Sequence, residues 1–412
     1  MTETMVSRAP LDQPPSPEVS TGVSWLRRIM VSHFRNYHAA EIICDSRPLV
    51  LTGPNGAGKT NLLEAVSLLA PGRGLRGAKM GDLDRHEPAT GTSGNGLAGS
   101  WAVAAEVVTP EGQYDLGTGR PPPPDGGGSS DRRIVKVDGA VVRGQQRLGE
   151  ILGIVWVTPQ MDGLFREAPS GRRRFLDRLV FGFDPAHAGR VNAYDHARRE
   201  RARLLKSNHK DDAWLLAVED NMARHGVAIA VARQSATTRL AAAAATGVGR
   251  FPAAGLALAC RLQDWLQEMP ALAAEEAFKR ALADARATDA LSGTTALGPH
   301  RSDLAVTHLE RNMDAELCST GEQKALLVSI ILAHARLLRL DRGGAPLLLL
   351  DEVAAHLDAD RRRALYEEIL ALSAQAWLTG TDPDVFAELG DAAQFFEVSH
   401  ARVTAGNVSR GS

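Results

Sequence analysis

Two patterns of apolar residues divide this chain into regions of different character. From 166 to 296 the apolar positions recur at the spacing of amphipathic helices. Elsewhere they form short continuous or alternating runs, as in β-strands, at 26–31, 39–43, 101–108, 134–137 and 394–403. The pattern predicts an α/β protein in which a mainly helical second lobe, 166–296, is inserted into a discontinuous first lobe, 23–165 plus 297–412.

An apolar run at 48–52 leads directly into a glycine-rich turn, and a helical pattern begins at Asn61. Glycine lets a tight turn direct successive backbone N–H groups at phosphate oxygens, and a helix N-terminus adds its positive end. Lys59 is placed to reach β- and γ-phosphates, and Thr60 to bind Mg²⁺. The segment therefore predicts an ATP site with Mg²⁺ as cofactor, although a glycine turn that binds nothing is the alternative. The residues of the predicted ATP-binding loop are Gly53, Pro54, Asn55, Gly56, Ala57, Gly58, Lys59 and Thr60.

A second apolar run, four leucines at 347–350, ends in the acid pair Asp351 and Glu352. Uninterrupted leucine predicts a strand buried on both faces, with the two acids at its carboxyl end. Asp351 is suited to hold Mg²⁺, and Glu352 to orient and deprotonate a water. In isolation either acid could instead cap a following helix.

A third element precedes the long apolar helix that begins near residue 320. Ser319, Gly321 and Glu322 stand where a helix N-terminus would present free N–H groups to an anion. Taken alone, this string is more typical of a simple N-cap with a glutamate behind it.

The order of these elements resembles the ABC-type ATPases. In that superfamily the signature of one subunit closes over the ATP held by the loop of another, so the resemblance implies an ATP-gated, head-to-tail homodimer. Asp358, in the string Ala355-His356-Leu357-Asp358, matches a residue that links the two sites across the dimer interface.

Spacing selects a branch of this superfamily. Lys59 and Ser319 lie 260 residues apart, with no apolar run long enough for a membrane span and too few residues for a long coiled coil. Four strings are more specific: His33-Phe34-Arg35-Asn36-Tyr37, Asn61-Leu62-Leu63-Glu64-Ala65, Gly171-Arg172-Arg173-Arg174-Phe175-Leu176-Asp177 and Gly298-Pro299-His300-Arg301-Ser302-Asp303-Leu304. In these strings the chain resembles the bacterial RecF family of DNA gap-repair ATPases.

This resemblance implies further site residues. Arg35, Asn36 and Arg76 are expected near the nucleotide, and Gln160 either contacts Mg²⁺ and water or is an ordinary loop residue. A histidine γ-phosphate sensor, common in the superfamily, is absent from the string Trp377-Leu378-Thr379-Gly380-Thr381-Asp382. Thr381 is the candidate replacement.

Composition limits where nucleic acid can bind. The net charge of −2 excludes DNA binding by bulk charge, so a contact needs a local patch. Between 166 and 206 there are eleven basic residues against five acids, and ten of the eleven are arginine. Arginine suits bidentate phosphate contact, whereas a solvated helix face with internal ion pairs is the alternative. The candidate DNA contacts are Arg172, Arg173, Arg174, Arg198, Arg199, Arg201 and Arg203.

Other features predict a cytoplasmic protein. The three cysteines form no metal or disulfide pattern, no signal peptide or membrane segment is visible, and 1–22 has the composition of a disordered tail. The proline- and glycine-rich stretch at 118–132 predicts a flexible loop within the β-region.

The RecF resemblance implies a slow, DNA-stimulated ATPase that closes on single-strand/double-strand DNA at gaps, independently of sequence. It further implies RecR and RecO as partners, RecA loading and the SOS response. Two alternatives remain open: an ATP-dependent nuclease or phage-defence ATPase with the same head, and a DNA scaffold that binds ATP without hydrolysing it.

Overall fold

A computed structural model describes residues 22–85, 100–122, 133–207 and 212–406. Residues 1–21 of the predicted tail and 123–132 of the predicted loop lie outside these ranges. The start of that loop was predicted wrongly, because 118–120 form the end of a strand that pairs with 101–103 and, at 118 and 119, also with 134 and 135. Within the described ranges no helix is long and apolar enough to cross a bilayer.

The first sheet carries the predicted phosphate loop. Its strand order is β15-β14-β3-β13-β12-β8, parallel except for β15 at one edge. All four leucines of β12 are buried, as the uninterrupted apolar run predicts for a strand covered on both faces. The bounds are β3 Leu49–Thr52, β8 Ile154–Val157, β12 Leu347–Leu350, β13 Ala376–Gly380, β14 Gln394–Ser399 and β15 Arg402–Ala405.

An antiparallel sheet of six strands, in the order β2-β1-β4-β5-β6-β7, forms the predicted β-region. A turn at Asp138 and Gly139 joins β6 to β7, and both residues have positive φ. Strand β5 is rich in glycine and polar residues and was not predicted. The bounds are β1 Trp25–Phe34, β2 Tyr37–Ile43, β4 Trp101–Thr109, β5 Gly112–Arg120, β6 Ile134–Val137 and β7 Ala140–Val142.

Helices dominate 166–296, as predicted. They are α3 Pro169–Phe183, α4 His187–Lys206, α5 Asp212–Ala244, α6 Arg261–Glu268, α7 Ala271–Asp284 and α8 Arg286–Ser292. The remaining helices are α1 Lys59–Ser67, α2 Gln146–Ile151, α9 Thr320–Arg342 and α10 Ala359–Ala371. A small antiparallel sheet has the strand order β11-β10-β9, in which β9 is Ala254–Ala259, β10 is Asp303–His308 and β11 is Met313–Asp314.

The hydrophobic core crosses the predicted boundary between the lobes. Phe175 of α3, Leu240 of α5 and Leu327 of α9 belong to one buried cluster. A smaller cluster, which includes Tyr194, Met222 and Phe278, lies within the helical region itself. The domain limits stay a prediction, but the shared core implies that the helical region packs firmly on the α9 side of the parallel sheet.

Candidate functional site

The predicted phosphate loop lies between β3 and α1, and its glycines are required by its geometry. Gly53, Gly56 and Gly58 have φ of 144°, 77° and 121°, a region that residues with a Cβ rarely adopt. A Cβ on Gly53 would lie 2.1 Å from the Val398 carbonyl oxygen. Gly58 caps α1 without a side chain, so the first N–H groups of the helix point into the loop as free anion donors.

Lys59 is held in the loop rather than extended into solvent. Its Nζ donates to the carbonyl oxygens of Gly53 and Pro54, at 2.6 and 3.0 Å, and the residue is buried. Burial lowers the pKa of this ammonium, while the carboxylates of Glu352 and Asp351 act in the opposite direction. A phosphate that enters the loop would take the place of these two carbonyl oxygens as the partner of the Lys59 ammonium. Because the phosphate carries full negative charge, it is the stronger partner.

Thr60 and Asp351, 291 residues apart in sequence, meet at the carboxyl end of β12. The Thr60 hydroxyl donates to Asp351 Oδ1 at 3.0 Å. Asp351 is buried, and that burial raises the pKa of its carboxyl group. A hydroxyl and a carboxylate beside a phosphate loop are the hard oxygen donors that Mg²⁺ takes together with phosphate oxygens and water. The residues present therefore fit the predicted Mg²⁺.

Thr379 is a site residue that the sequence analysis missed. Its hydroxyl donates to Asp351 Oδ1 at 2.8 Å and accepts the backbone N–H of Glu352 at 2.9 Å. Thr379 lies near the end of β13, beside β12, and is buried, whereas the predicted Thr381 lies beyond the strand and is exposed. The available signal was a threonine near the carboxyl end of the next apolar run along the chain after the Asp-Glu pair.

Glu352 faces the cleft of the phosphate loop. The cleft is lined by Asn55, Gly56, Gly58, Lys59, Thr60, Asn61, Arg76 and Glu352. The backbone of Glu352 has φ of 53°, a left-handed conformation that is unusual for a residue with a side chain. The hydrogen bond from its backbone N–H to Thr379 supports this backbone conformation, from which the side chain lines the cleft.

The other predicted nucleotide contacts form a network around α1. Arg35 makes two hydrogen bonds of 2.8 Å to Glu64, which is fully buried. Arg76 donates to the same carboxylate and to Asn61, at 3.1 and 2.8 Å. Asn36 donates to the Ala57 carbonyl oxygen at 3.1 Å. Among the described residues, Arg76 lines the phosphate-loop cleft. Arg35 and Asn36 are instead bonded to Glu64 of α1 and Ala57 of the loop.

The predicted signature is the N-terminus of α9. Ser319 and Glu322 form a capping box: the Ser319 N–H and hydroxyl donate to the Glu322 carboxylate at 2.9 and 2.8 Å, and the hydroxyl accepts the Glu322 N–H. Arg311 pairs with the same carboxylate at 2.6 Å. Gly321 is exposed, with open space where a Cβ would lie. None of the three signature residues is among the described residues that line the phosphate-loop cleft.

Two more predicted residues, Gln160 and Asp358, are exposed. Gln160 follows β8, which pairs in parallel with β12, so it leaves the sheet at the same edge as Asp351. It is exposed and does not line the described cleft. Asp358 caps α10 by accepting the Arg361 N–H at 2.8 Å, and its side chain is exposed.

The structure corrects part of the predicted DNA patch. Arg201 is fully buried and pairs with Glu219 and Asp289 at 2.9 and 2.7 Å, so it cannot contact DNA. Arg172 is mostly buried, with its donors on Asp303 and the carbonyl oxygens of Phe165 and Glu167. Both residues were predicted as DNA contacts because sequence alone does not reveal which arginines turn inward. Arg173, Arg174, Arg198, Arg199 and Arg203 keep at least part of their surface exposed.

Comparisons with known proteins agree with this geometry. A protein named DNA replication and repair protein RecF from Rhizobium johnstonii is 46% identical over 381 residues, which is 92% of this chain and 98% of the relative. One of the same name from Agrobacterium fabrum is 46% identical over 382 residues. No protein-family model matches the chain.

Solved structures share the fold. A structure of the recombination mediator protein RecF with ATP, in the RecFOR pathway, aligns over 95% of this chain and 100% of its own, with a TM-score of 0.77 and 22% identity. An Smc head domain from Pyrococcus furiosus aligns over 94% of this chain and 98% of its own, with a TM-score of 0.52 and 16% identity. The predicted ABC-type fold is thereby confirmed. At 46% identity over nearly its whole length, this chain belongs to the RecF family of DNA replication and repair proteins.

Proposed function

We propose that this protein is an ATP-dependent DNA-binding switch of recombinational repair, which closes as a homodimer on DNA at single-strand gaps. One observation carries the proposal. Thr60, Asp351 and Thr379 complete the metal side of a nucleotide site within the chain, while the signature at Ser319 faces solvent, outside the described cleft lining. A site that lacks its signature is completed by a second copy.

Within one subunit, each residue has a distinct task. The free N–H groups at the start of α1 and the Lys59 ammonium bind the phosphates, and Thr60 and Asp351 hold Mg²⁺. Bound Mg²⁺ would neutralise charge on the β- and γ-phosphates. Glu352, fixed through Thr379, orients a water and accepts its proton. Gln160 is a further candidate at this edge of the sheet.

Closure of the dimer would bring Ser319 and Gly321 to the γ-phosphate of the opposite subunit. The hydroxyl and N–H of Ser319 are held by Glu322 in the monomer, so closure exchanges a carboxylate for a phosphate as their acceptor. Asp358, exposed at the start of α10, is the candidate link between the two sites across the interface. Hydrolysis removes the shared γ-phosphate and so favours reopening.

The DNA-binding and cellular roles rest on family membership and on charge. Exposed arginines of α3 and α4 would contact phosphates without reading sequence, so affinity should fall steeply with salt. Family membership supports slow, DNA-stimulated ATP hydrolysis, binding at gap junctions, RecR and RecO as partners, promotion of RecA loading and the SOS response, and a cytoplasmic location.

Two other functions are less well supported. A nuclease with the same head needs a cluster of metal-binding acids, and no group of three or more His, Cys, Asp or Glu suited to a metal occurs in the ranges that the structure describes. A scaffold that binds ATP without turnover has no need of Glu352 in its constrained backbone conformation.

Analytical ultracentrifugation on gapped DNA, with and without ATP and Mg²⁺, tests the switch. We expect the wild-type protein to dimerise and retain DNA only with ATP, and Ser319→Arg to bind ATP but stay monomeric, since a large cation would block the signature. Binding of the monomer to DNA that does not depend on ATP would refute the proposal.

The variant Glu352→Gln separates a switch from a scaffold. If the protein is a switch, the variant accumulates as the ATP-bound dimer on DNA, whereas a scaffold variant behaves as the wild type does.

A further inference from the structure

Two sequence strings that the nucleotide site does not use meet in the fold. Arg172 makes a bidentate pair with Asp303, and Arg173 donates to the Ser302 carbonyl oxygen at 2.7 Å. Arg233 of α5 fastens the same junction through both oxygens of Asp177 and the carbonyl oxygen of Pro299. These contacts join the start of α3 to the turn that precedes β10, so the junction is rigid.

Beside this junction lies a surface cavity of about 530 Å³. Its lining carries five guanidiniums and two carboxylates, which leaves an excess of three positive charges. The guanidiniums belong to Arg173, Arg174, Arg198, Arg233 and Arg301, and the carboxylates to Asp177 and Asp195. His300 adds no charge: it bonds to the Tyr194 hydroxyl and to the Thr295 carbonyl oxygen, and burial lowers its pKa to about 4.

The excess charge is not neutralised locally. Of the five guanidiniums, only that of Arg233 has its charge neutralised by a close carboxylate, that of Asp177. Arg174 has no hydrogen-bond or ion-pair partner among the described residues, and Arg301 donates to the carbonyl oxygen of Thr295. Arg198 reaches Asp195 only at 3.4 Å. Burial lowers the pKa of Arg173, and the like charges of Arg233 and Arg301 lower it further, while the carboxylates of Asp303 and Asp177 act in the opposite direction.

We propose that this cavity binds a phosphate group, with Arg173, Arg174, Arg198 and Arg301 as its ligands. Planar guanidiniums suit the oxygens of a phosphate, and a rigid, concave site with an excess of positive charge is preorganised for an anion. The phosphate group could belong to the DNA backbone or to a free phosphate compound. The first possibility rests on the proposed function, and the second does not.

The DNA source is tested by anisotropy titrations of gapped DNA with the full chain and ATP at several salt concentrations. We expect Arg174→Ala and Arg301→Ala each to weaken binding and to reduce the slope of log K against log salt by about 0.9, the value for one lost phosphate contact. Arg174→Lys should restore the slope. The matched control is Arg280→Ala, which removes an exposed arginine of α7 outside the cavity, and its slope should equal that of the wild type.

The free source is tested by calorimetric titration with pyrophosphate in the Lys59→Ala background, where the phosphate loop is disabled. Pyrophosphate binding that disappears when Arg174→Ala and Arg301→Ala are added assigns the cavity to free phosphates. A changed salt slope without pyrophosphate binding assigns it to DNA. If Arg174→Ala and Arg301→Ala leave both the salt slope and pyrophosphate binding unchanged, the phosphate site is overturned. A wild-type protein that does not bind DNA at all refutes the proposed function, yet leaves the pyrophosphate test intact.

Discussion

Thr379 is the residue on which both acids of the nucleotide site depend. Its single hydroxyl binds Asp351 and also the backbone of Glu352, whose φ of 53° would otherwise relax. A residue in a sparsely populated conformation persists only where its surroundings hold it. Thr379 is thus a positioning residue: it acts on the metal ligand and the base without touching the reacting atoms in the present geometry.

Thr379→Val should therefore impair the site without unfolding it, because valine keeps the shape but loses both hydrogen bonds. We expect a loss of about 10- to 100-fold in Mg²⁺ affinity or ATP turnover, as for other residues that orient a metal ligand. Thr379→Ser should restore most of it. The measurement is the Mg²⁺ dependence of ATP hydrolysis, with kcat and KM determined separately. Equal kinetics for the valine and serine variants would show that the hydroxyl has no such role.

At the scale of elements, helices are tied together by buried ionic and polar groups. Arg201 of α4 links Glu219 of α5 to Asp289 of α8, and all three side chains are essentially inaccessible. Breaking a buried pair costs more than the pair contributes, because the partner charge is left without compensation. The inward face of α4 is thus structural, whereas its outward face carries Arg199 and Arg203.

Arg201→Ala should lower the free energy of unfolding by about 3–5 kcal/mol, since the buried Asp289 loses its cation and Glu219 keeps only Arg286. Arg199→Ala, on the exposed face of the same helix, should change it by no more than about 0.5 kcal/mol. Urea titrations of both variants give the comparison. A small effect of Arg201→Ala would mean that water or another cation reaches the carboxylates.

The packing of α3 on α9 should make stability depend on pH. His334 of α9 donates from Nε2 to the Leu179 carbonyl oxygen, and burial lowers its pKa from 6.5 to about 3. Below pH 6.5 the unfolded chain therefore binds a proton that the folded chain does not, so stability falls as pH decreases toward 3.

We expect His334 to contribute up to about 1.4 kcal/mol of lost stability per pH unit in this window. His334→Gln, which keeps a donor but does not titrate, should show a shallower decline between pH 6.5 and 5 than the wild type. Urea unfolding at half-unit pH intervals measures both slopes. Parallel slopes would show that His334 does not titrate differently in the folded state.

For the whole molecule, the critical arrangement is the separation of the signature from the cleft of its own phosphate loop. In a head-to-tail dimer each site combines the loop of one subunit with the signature of the other. A mixed dimer of Lys59→Ala and Ser319→Arg then contains one site with both defects and one intact site.

Mixing these two inactive variants should restore part of the ATP hydrolysis, because each mixed dimer contains one intact site. The control is each variant alone at the same total concentration. Activity that never exceeds the two controls would indicate that each site is completed within its own chain.

The sequence alone determined the elements whose chemistry is local. Glycines with positive φ at the phosphate loop, four consecutive leucines before Asp351 and the capping box at Ser319 each follow from neighbouring residues. Backbone sterics, burial and helix capping act over a few positions, which explains why these predictions hold. Strand β5 escaped prediction because its glycines and polar residues have low β-propensity, and pairing with β4 and β6 overrides that preference.

Only the tertiary structure decided which distant residues meet and which arginines turn inward. Thr379 reaches Asp351 because β13 and β12 are neighbours in a parallel sheet, and no local pattern encodes that adjacency. Arg201 and Arg203 lie two positions apart on one helix, yet one is buried between two carboxylates and the other is exposed. Sequence specifies a residue's charge, whereas the packing of helices around it decides whether that charge meets an internal partner or a phosphate.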